Sequence, residues 1–63
     1  MRLTDRQREA IEEIIADCDA KELYWQGRWA AAQIPSVRAV AAKRIEQINA
    51  TRAKYAQSLE ENR

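Results

Sequence analysis

Gln33-Ile34-Pro35-Ser36 decides the fold, because it is the one place in this chain where a helix has to stop. Proline has no backbone N–H to return to a preceding turn, and its ring pushes the residue before it toward extended angles. Here that residue is Ile34. Proline is tolerated in a first helical turn and Ser36 is an alternative cap, so a second helix begins here. Pro35 is the only proline and Gly27 the only glycine. Ala, Glu, Arg, Gln and Ile fill most of the remaining positions, a mixture that favours long helices over sheet or disorder.

Working back toward the N-terminus at about 100° per residue, Ile11, Ile14, Ile15, Cys18, Trp25 and Trp29 fall within about 60° of a common direction. Thr4, Gln7, Glu22 and Ala32 extend that stripe, while Glu9, Glu12, Glu13, Ala16 and Ala20 lie opposite. The pattern is an amphipathic helix of roughly seven turns with an acidic outer face. Thr4 and Gln7 have the spacing of a capping box, with Leu3 just outside it, which starts the helix at Asp5. Beyond the break, Val37, Val40, Ala41, Ile45, Ile48, Tyr55 and Leu59 share one face, interrupted by Arg44, Thr51 and Arg52. This second helix runs to about Glu60 and then frays.

Two long helices joined by so short a connection lie antiparallel. The expected fold is an all-α, antiparallel two-helix hairpin over about 5–32 and 36–60, a single domain filling residues 1–63. Counting back from the turn places Glu22 opposite Arg44 or Ile45, and Cys18 opposite Ile48, so a Glu22–Arg44 ion pair is expected in or beside the seam. From Thr4 to Ala32 four bases face seven acids, a balance of −3; from Ser36 to Lys54 five bases face Glu46 alone, a balance of +4. The two helices are expected to attract each other.

Sixty-three residues are near the lower limit for a chain that folds alone. Both apolar stripes are broad, with Leu23, Tyr24, Val40 and Ile45 at their margins, and a single seam leaves those margins wet. Two hairpins packed face to face bury them, which predicts a symmetric homodimer forming a coiled-coil-like four-helix bundle.

Several chemistries are missing. The chain has no histidine, the commonest general base and metal ligand. One thiol and scattered carboxylates make no credible zinc site, and one glycine makes no phosphate-cradling loop. Asp17 and Asp19 bracket Cys18, but residues two apart on a helix diverge. Cys18 lies on the apolar stripe and reads as a small core residue. Asn49-Ala50-Thr51 matches a glycosylation sequon by letters only. No catalytic, metal-binding or cofactor-binding residue is expected, and no small-molecule substrate. With a net charge of +1, one cysteine, no leader and no membrane-length apolar run, the expectation is a cytoplasmic protein without a membrane partner.

The remaining signal is aromatic. Tyr24, Trp25 and Trp29 crowd around Gly27 just before the turn. The plain reading is that the indoles fill the wide end of the bundle. The functional reading is that Tyr24, Trp25, Arg28, Trp29 and Arg38 form a partner-binding end, since aromatics and arginine dominate interface energetics. The expected function is a non-enzymatic protein–protein interaction module: a small homodimeric adaptor or inhibitor of a larger protein, of the kind found among accessory regulators of phage and mobile elements. The alternative is a nucleic-acid-binding bundle that uses the basic second helix through Lys43, Arg52, Lys54 and Tyr55. A third is a purely structural oligomerisation element.

Overall fold

In the computed structural model, which describes residues 2–61, the chain forms two α-helices of equal length, α1 (Asp5–Ala31) and α2 (Pro35–Glu61). They pack against each other as a hairpin, and the described residues contain no strand. The helix limits differ from the expected ones by a residue at each inner end and at the C-terminal end. Of the residues expected to fray beyond Glu60, Glu61 is still helical, and the last two lie outside the described range.

The N-terminus of α1 is built as the sequence requires. The Gln7 amide donates to Thr4 Oγ1 at 3.1 Å and the Thr4 amide donates to Gln7 Oε1 at 2.9 Å, a reciprocal capping box. At the other end Ala32 is extended (φ −72°, ψ 130°), while its N–H still reaches the Arg28 carbonyl. None of the described residues adopts a positive φ, so the helix ends without the left-handed cap that a glycine would supply. The α2 start also resolves the choice of cap. Pro35 is the first helical residue, where its missing N–H costs nothing, and the Ile34 carbonyl accepts from Val37 and Arg38. Ser36 is therefore inside the helix and does not cap it.

The seam is thin. Among the described residues Cys18 at 6% exposure and Ala41 at 1% are the only buried ones, and no large side chain is fully enclosed. Around them Ile11, Ile14, Ile15, Trp25, Ala32, Ile45, Ile48, Tyr55 and Leu59 are half-buried, together with two charged residues, Glu22 and Arg52. The stripe read from the sequence is thus the packed face, except that Thr4, Gln7, Trp29, Val37 and Val40 remain exposed.

The result is a rod of 47 × 15 × 10 Å with a radius of gyration of 14.5 Å, against about 11 Å for a compact chain of this length. Its accessible surface is 5169 Å², whereas a compact monomer of 7.3 kDa exposes about 4,200 Å².

The expected Glu22–Arg44 pair does not form. Glu22 Oε1 lies 3.1 Å from Arg52 Nη2, and Arg44 sits instead over Trp25, 6.0 Å from its centroid. Helical side chains lean toward the N-terminus of their own helix. In this hairpin Glu22 therefore leans away from the turn and the arginines of α2 lean toward it. Glu22 and Arg44 diverge, while Glu22 and Arg52 converge. Counting Cα levels alone misses this.

Candidate interaction site

Around the turn the aromatics and arginines form two clusters. In the first, Tyr24 and Trp25 meet edge to face, 5.3 Å between centroids at 77°. The Arg28 guanidinium lies 5.9 Å from the Tyr24 ring and 5.7 Å from the Trp25 ring, and its Nη1 donates to Tyr24 Oη at 3.1 Å. Positions 24 and 28 are one helical turn apart, so this contact is set within α1. Arg44 joins from α2 over Trp25. In the second cluster Arg38 stacks on Trp29 at 4.4 Å from the centroid, and its Nε donates to the Trp29 carbonyl at 3.4 Å. Arg38 therefore ties α2 to one of the last-turn carbonyls of α1, where a cation also suits the helix dipole.

Arg38 and Arg44 are six residues apart, so they leave α2 about 120° apart, one on each flank of the seam. The five residues expected at a partner-binding end thus belong to two surfaces. Tyr24, Trp25 and Arg28 lie with Arg44; Trp29 lies with Arg38. Beside the first cluster is an open groove of about 400 Å³ lined by Tyr24, Arg28, Ala31, Ala32 and Val37. Tyr24 is 56% exposed and Val40, one turn beyond Val37, is 55% exposed. Trp25 is half-buried, while Trp29 keeps 43% of its surface in water. Ala31, Ala32, Val37 and Arg44 were missing from the expected site. Their signal was the acid-free stretch around the turn, which periodicity alone does not weigh.

The residues of the nucleic-acid alternative are scattered. Lys43 and Lys54 are exposed, and Tyr55 is half-buried at the seam. Arg52 is occupied by the chain itself: Nε lies 2.9 Å from Asp19 Oδ1, Nη2 3.1 Å from Glu22 Oε1, and Nη1 donates to Asn49 Oδ1 at 3.1 Å. The Nε–H and Nη2–H directions are not aligned on the carboxylate oxygens, so charge and proximity hold these two contacts. Glu22, within hydrogen-bonding range, does most to raise the guanidinium pKa above its already high value, and Asp19 adds to it. Lys21, in an exposed pair with Asp17 at 2.8 Å, is likewise raised by that carboxylate. Both groups are cationic at neutral pH, and their pairs lose their attraction only as pH climbs through those raised values.

The general attraction expected between an acidic and a basic helix reduces to this one bridging arginine. From Leu23 to Ile45 there are four cations (Arg28, Arg38, Lys43, Arg44) and no carboxylate, a balance of +4. Among the described residues none of the four takes part in an ion pair. Residues 2–22 carry four bases and seven acids, and residues 46–61 two bases (Arg52, Lys54) and three acids (Glu46, Glu60, Glu61), together −4. Folding back at Pro35 collects these segments at opposite ends of the rod.

Cys18 is buried as a free thiol. Among the described residues no three histidine, cysteine or carboxylate side chains are grouped to hold a metal, and no helix is long and apolar enough to cross a membrane. No family model, curated protein or solved structure matches this chain.

Proposed function

We propose that this chain is a non-enzymatic interaction module, a small adaptor or inhibitor that docks its turn end on a larger cytoplasmic protein and works as a homodimer. The observation that carries the reading is the arginine–aromatic array of Tyr24, Trp25, Arg28, Trp29 and Arg38, held in place yet largely open to water. Stacking on rings fixes the guanidiniums without a carboxylate, so their charge and their remaining N–H groups stay available to a partner. Such residues supply most of the energy at protein interfaces.

Dimerisation is supported by area. The rod exposes about 1,000 Å² more than a compact chain of its mass, and a standard interface takes about 800 Å² from each partner. A seam with two small buried residues also leaves a lone hairpin marginal.

Two measurements test this. Light scattering is expected to give twice the 7.3 kDa chain mass. Trp29→Ala, made in the cluster that the seam does not bury, should end partner capture from the source cell while far-UV helicity and dimer mass stay as they were. Undiminished capture by that variant would remove the turn end as the docking site. The nucleic-acid alternative is less well supported, because Arg52 is already neutralised by Asp19 and Glu22.

A further inference from the structure

We infer that the turn end of this hairpin also seats shallowly on an anionic lipid surface, its uncharged tip among the headgroups and its cations ringed around it. This goes beyond the protein-docking reading and does not rest on it. A turn end held in lipid is closed to a protein partner, so the two engagements exclude each other.

Exposed apolar surface is confined to one end of the rod. Among the described residues the exposed large hydrophobics are Leu23, Tyr24, Trp29, Ile34, Val37 and Val40, all at the turn end. Those of the open end, from Leu3 to Ile15 and from Ile48 to Leu59, are half-buried. The same segment, residues 23–45, holds Arg28, Arg38, Lys43 and Arg44 and no carboxylate. None of the four forms an ion pair among the described residues. Apolar exposure and unpaired positive charge therefore coincide, while residues 2–22 and 46–61, at the far end, carry −4 and are repelled by an anionic surface.

These groups circle the rod. On α1, measured from buried Cys18 at about 100° per residue, Leu23 points about 140° to one side and Tyr24 about 120° to the other. On α2, measured from buried Ala41, Lys43 points to the outer face and Val40 and Arg44 to the groove flank. Arg38 stands on the opposite flank with Trp29, and exposed Ile34 closes the tip. A protein face or a second copy laid along the rod covers one flank and leaves the others wet. A lipid interface closes round an immersed end from every side, and Trp, Tyr, Arg and Lys are the residues it favours at headgroup level.

The depth follows from spacing. Residues 29–37 carry no charge. At about 1.5 Å per helical residue, Arg28 and Arg38 stand about 5 Å back from the helix ends, and Lys43 and Arg44 about 12–14 Å. Immersion by about 5–10 Å, as for an interfacial helix, brings the first pair to the lipid phosphates and keeps the second within a Debye length of them. Deeper entry is opposed by Gln33, Ser36 and the last carbonyls of α1, which need water or headgroup donors. Sequence averages point away from a membrane, because a net charge of +1 conceals the +4 at this end and a tip needs no membrane-length apolar run.

Sedimentation with lipid vesicles is the test. The unaltered protein should pellet with phosphatidylcholine vesicles containing about 30% phosphatidylglycerol, and bind pure phosphatidylcholine roughly tenfold more weakly. Its tryptophan emission should shift to the blue on the anionic vesicles, and raising salt from about 50 to 500 mM should release it. Ile34→Ser should weaken binding several-fold by removing apolar surface from the tip, and Lys43→Gln should weaken it about fivefold. Lys54→Gln, which alters an exposed lysine at the open end of the same helix, should leave binding unchanged. All three variants should keep their far-UV helicity. Equal losses from Lys43→Gln and Lys54→Gln, or undiminished binding by Ile34→Ser, would mean that lipid attracts the rod without seating its tip, and would overturn the inference. No binding to either vesicle overturns it outright and leaves the protein-docking reading standing, since the vesicles hold no protein. Retention of that lipid-blind protein on immobilised polyglutamate would assign the positive end to an acidic protein face. Undiminished partner capture by Trp29→Ala, in turn, removes the docking reading and leaves vesicle binding as measured.

Discussion

Arg52 is the residue on which the two helices agree. Sequence periodicity places it as an interruption of the apolar face of α2, yet its guanidinium bridges Asp19 and Glu22 across the seam and Asn49 within its own helix. Arg52→Met should lower the thermal midpoint clearly, because it leaves two acids facing each other at the seam with no cation between them. Lys21→Met should change it little: the Lys21–Asp17 pair is about 60% exposed on both sides and spans only one turn. Equal effects in the two variants would remove Arg52 from its bridging role. Gly27 makes the opposite case. It sits in mid-helix with no positive φ, and nothing lies within 4 Å of where a Cβ would be added. Gly27→Ala should therefore stabilise the fold by about 0.5–1 kcal/mol, raising Tm by about 2–8 °C. A loss of stability, or of dimer mass, would mean that another backbone approaches Gly27 in the assembled protein.

At the scale of the helices, the ends and the line of contact are set by different physics. The ends are local. Thr4 and Gln7 lie three apart and satisfy each other, and Pro35 fixes where α2 begins, so both limits were legible within a residue. The line of contact was legible only as a stripe. Ile11, Cys18, Trp25, Ala41, Ile45 and Ile48 lie along it, and all of them are at least half-buried. The partner of Glu22 was misread because side chains lean along the helix axis, in opposite directions on two antiparallel helices. The most deeply buried residue of the seam is Ala41, 1% exposed. Ala41→Leu adds volume with no room for it and should cost about 1–3 kcal/mol as the helices move apart. A reduced urea midpoint with undiminished helicity would show it; an unchanged midpoint would mean that the seam is looser than these exposures imply.

For the whole molecule the governing quantity is surface. A hairpin of two 27-residue helices can offer its apolar stripes only to each other, and what they cover is small. If the dimer supplies the missing burial, folding and association are linked, and a roughly hundredfold rise in protein concentration should raise Tm by several degrees. A midpoint independent of concentration, at a mass of one chain, would end the four-helix-bundle reading.

The sequence by itself determined two helices, the capping box of the first, the break at Ile34-Pro35, the apolar stripes and the aromatic crowd before the turn. Each of these follows from interactions between residues at most a few positions apart. Only the tertiary structure decided which charges meet, that Trp25 and Trp29 belong to different clusters, and that the acid-free segment becomes one end of a polarised rod. Those outcomes depend on how one helix lies against the other, which neither helix specifies alone.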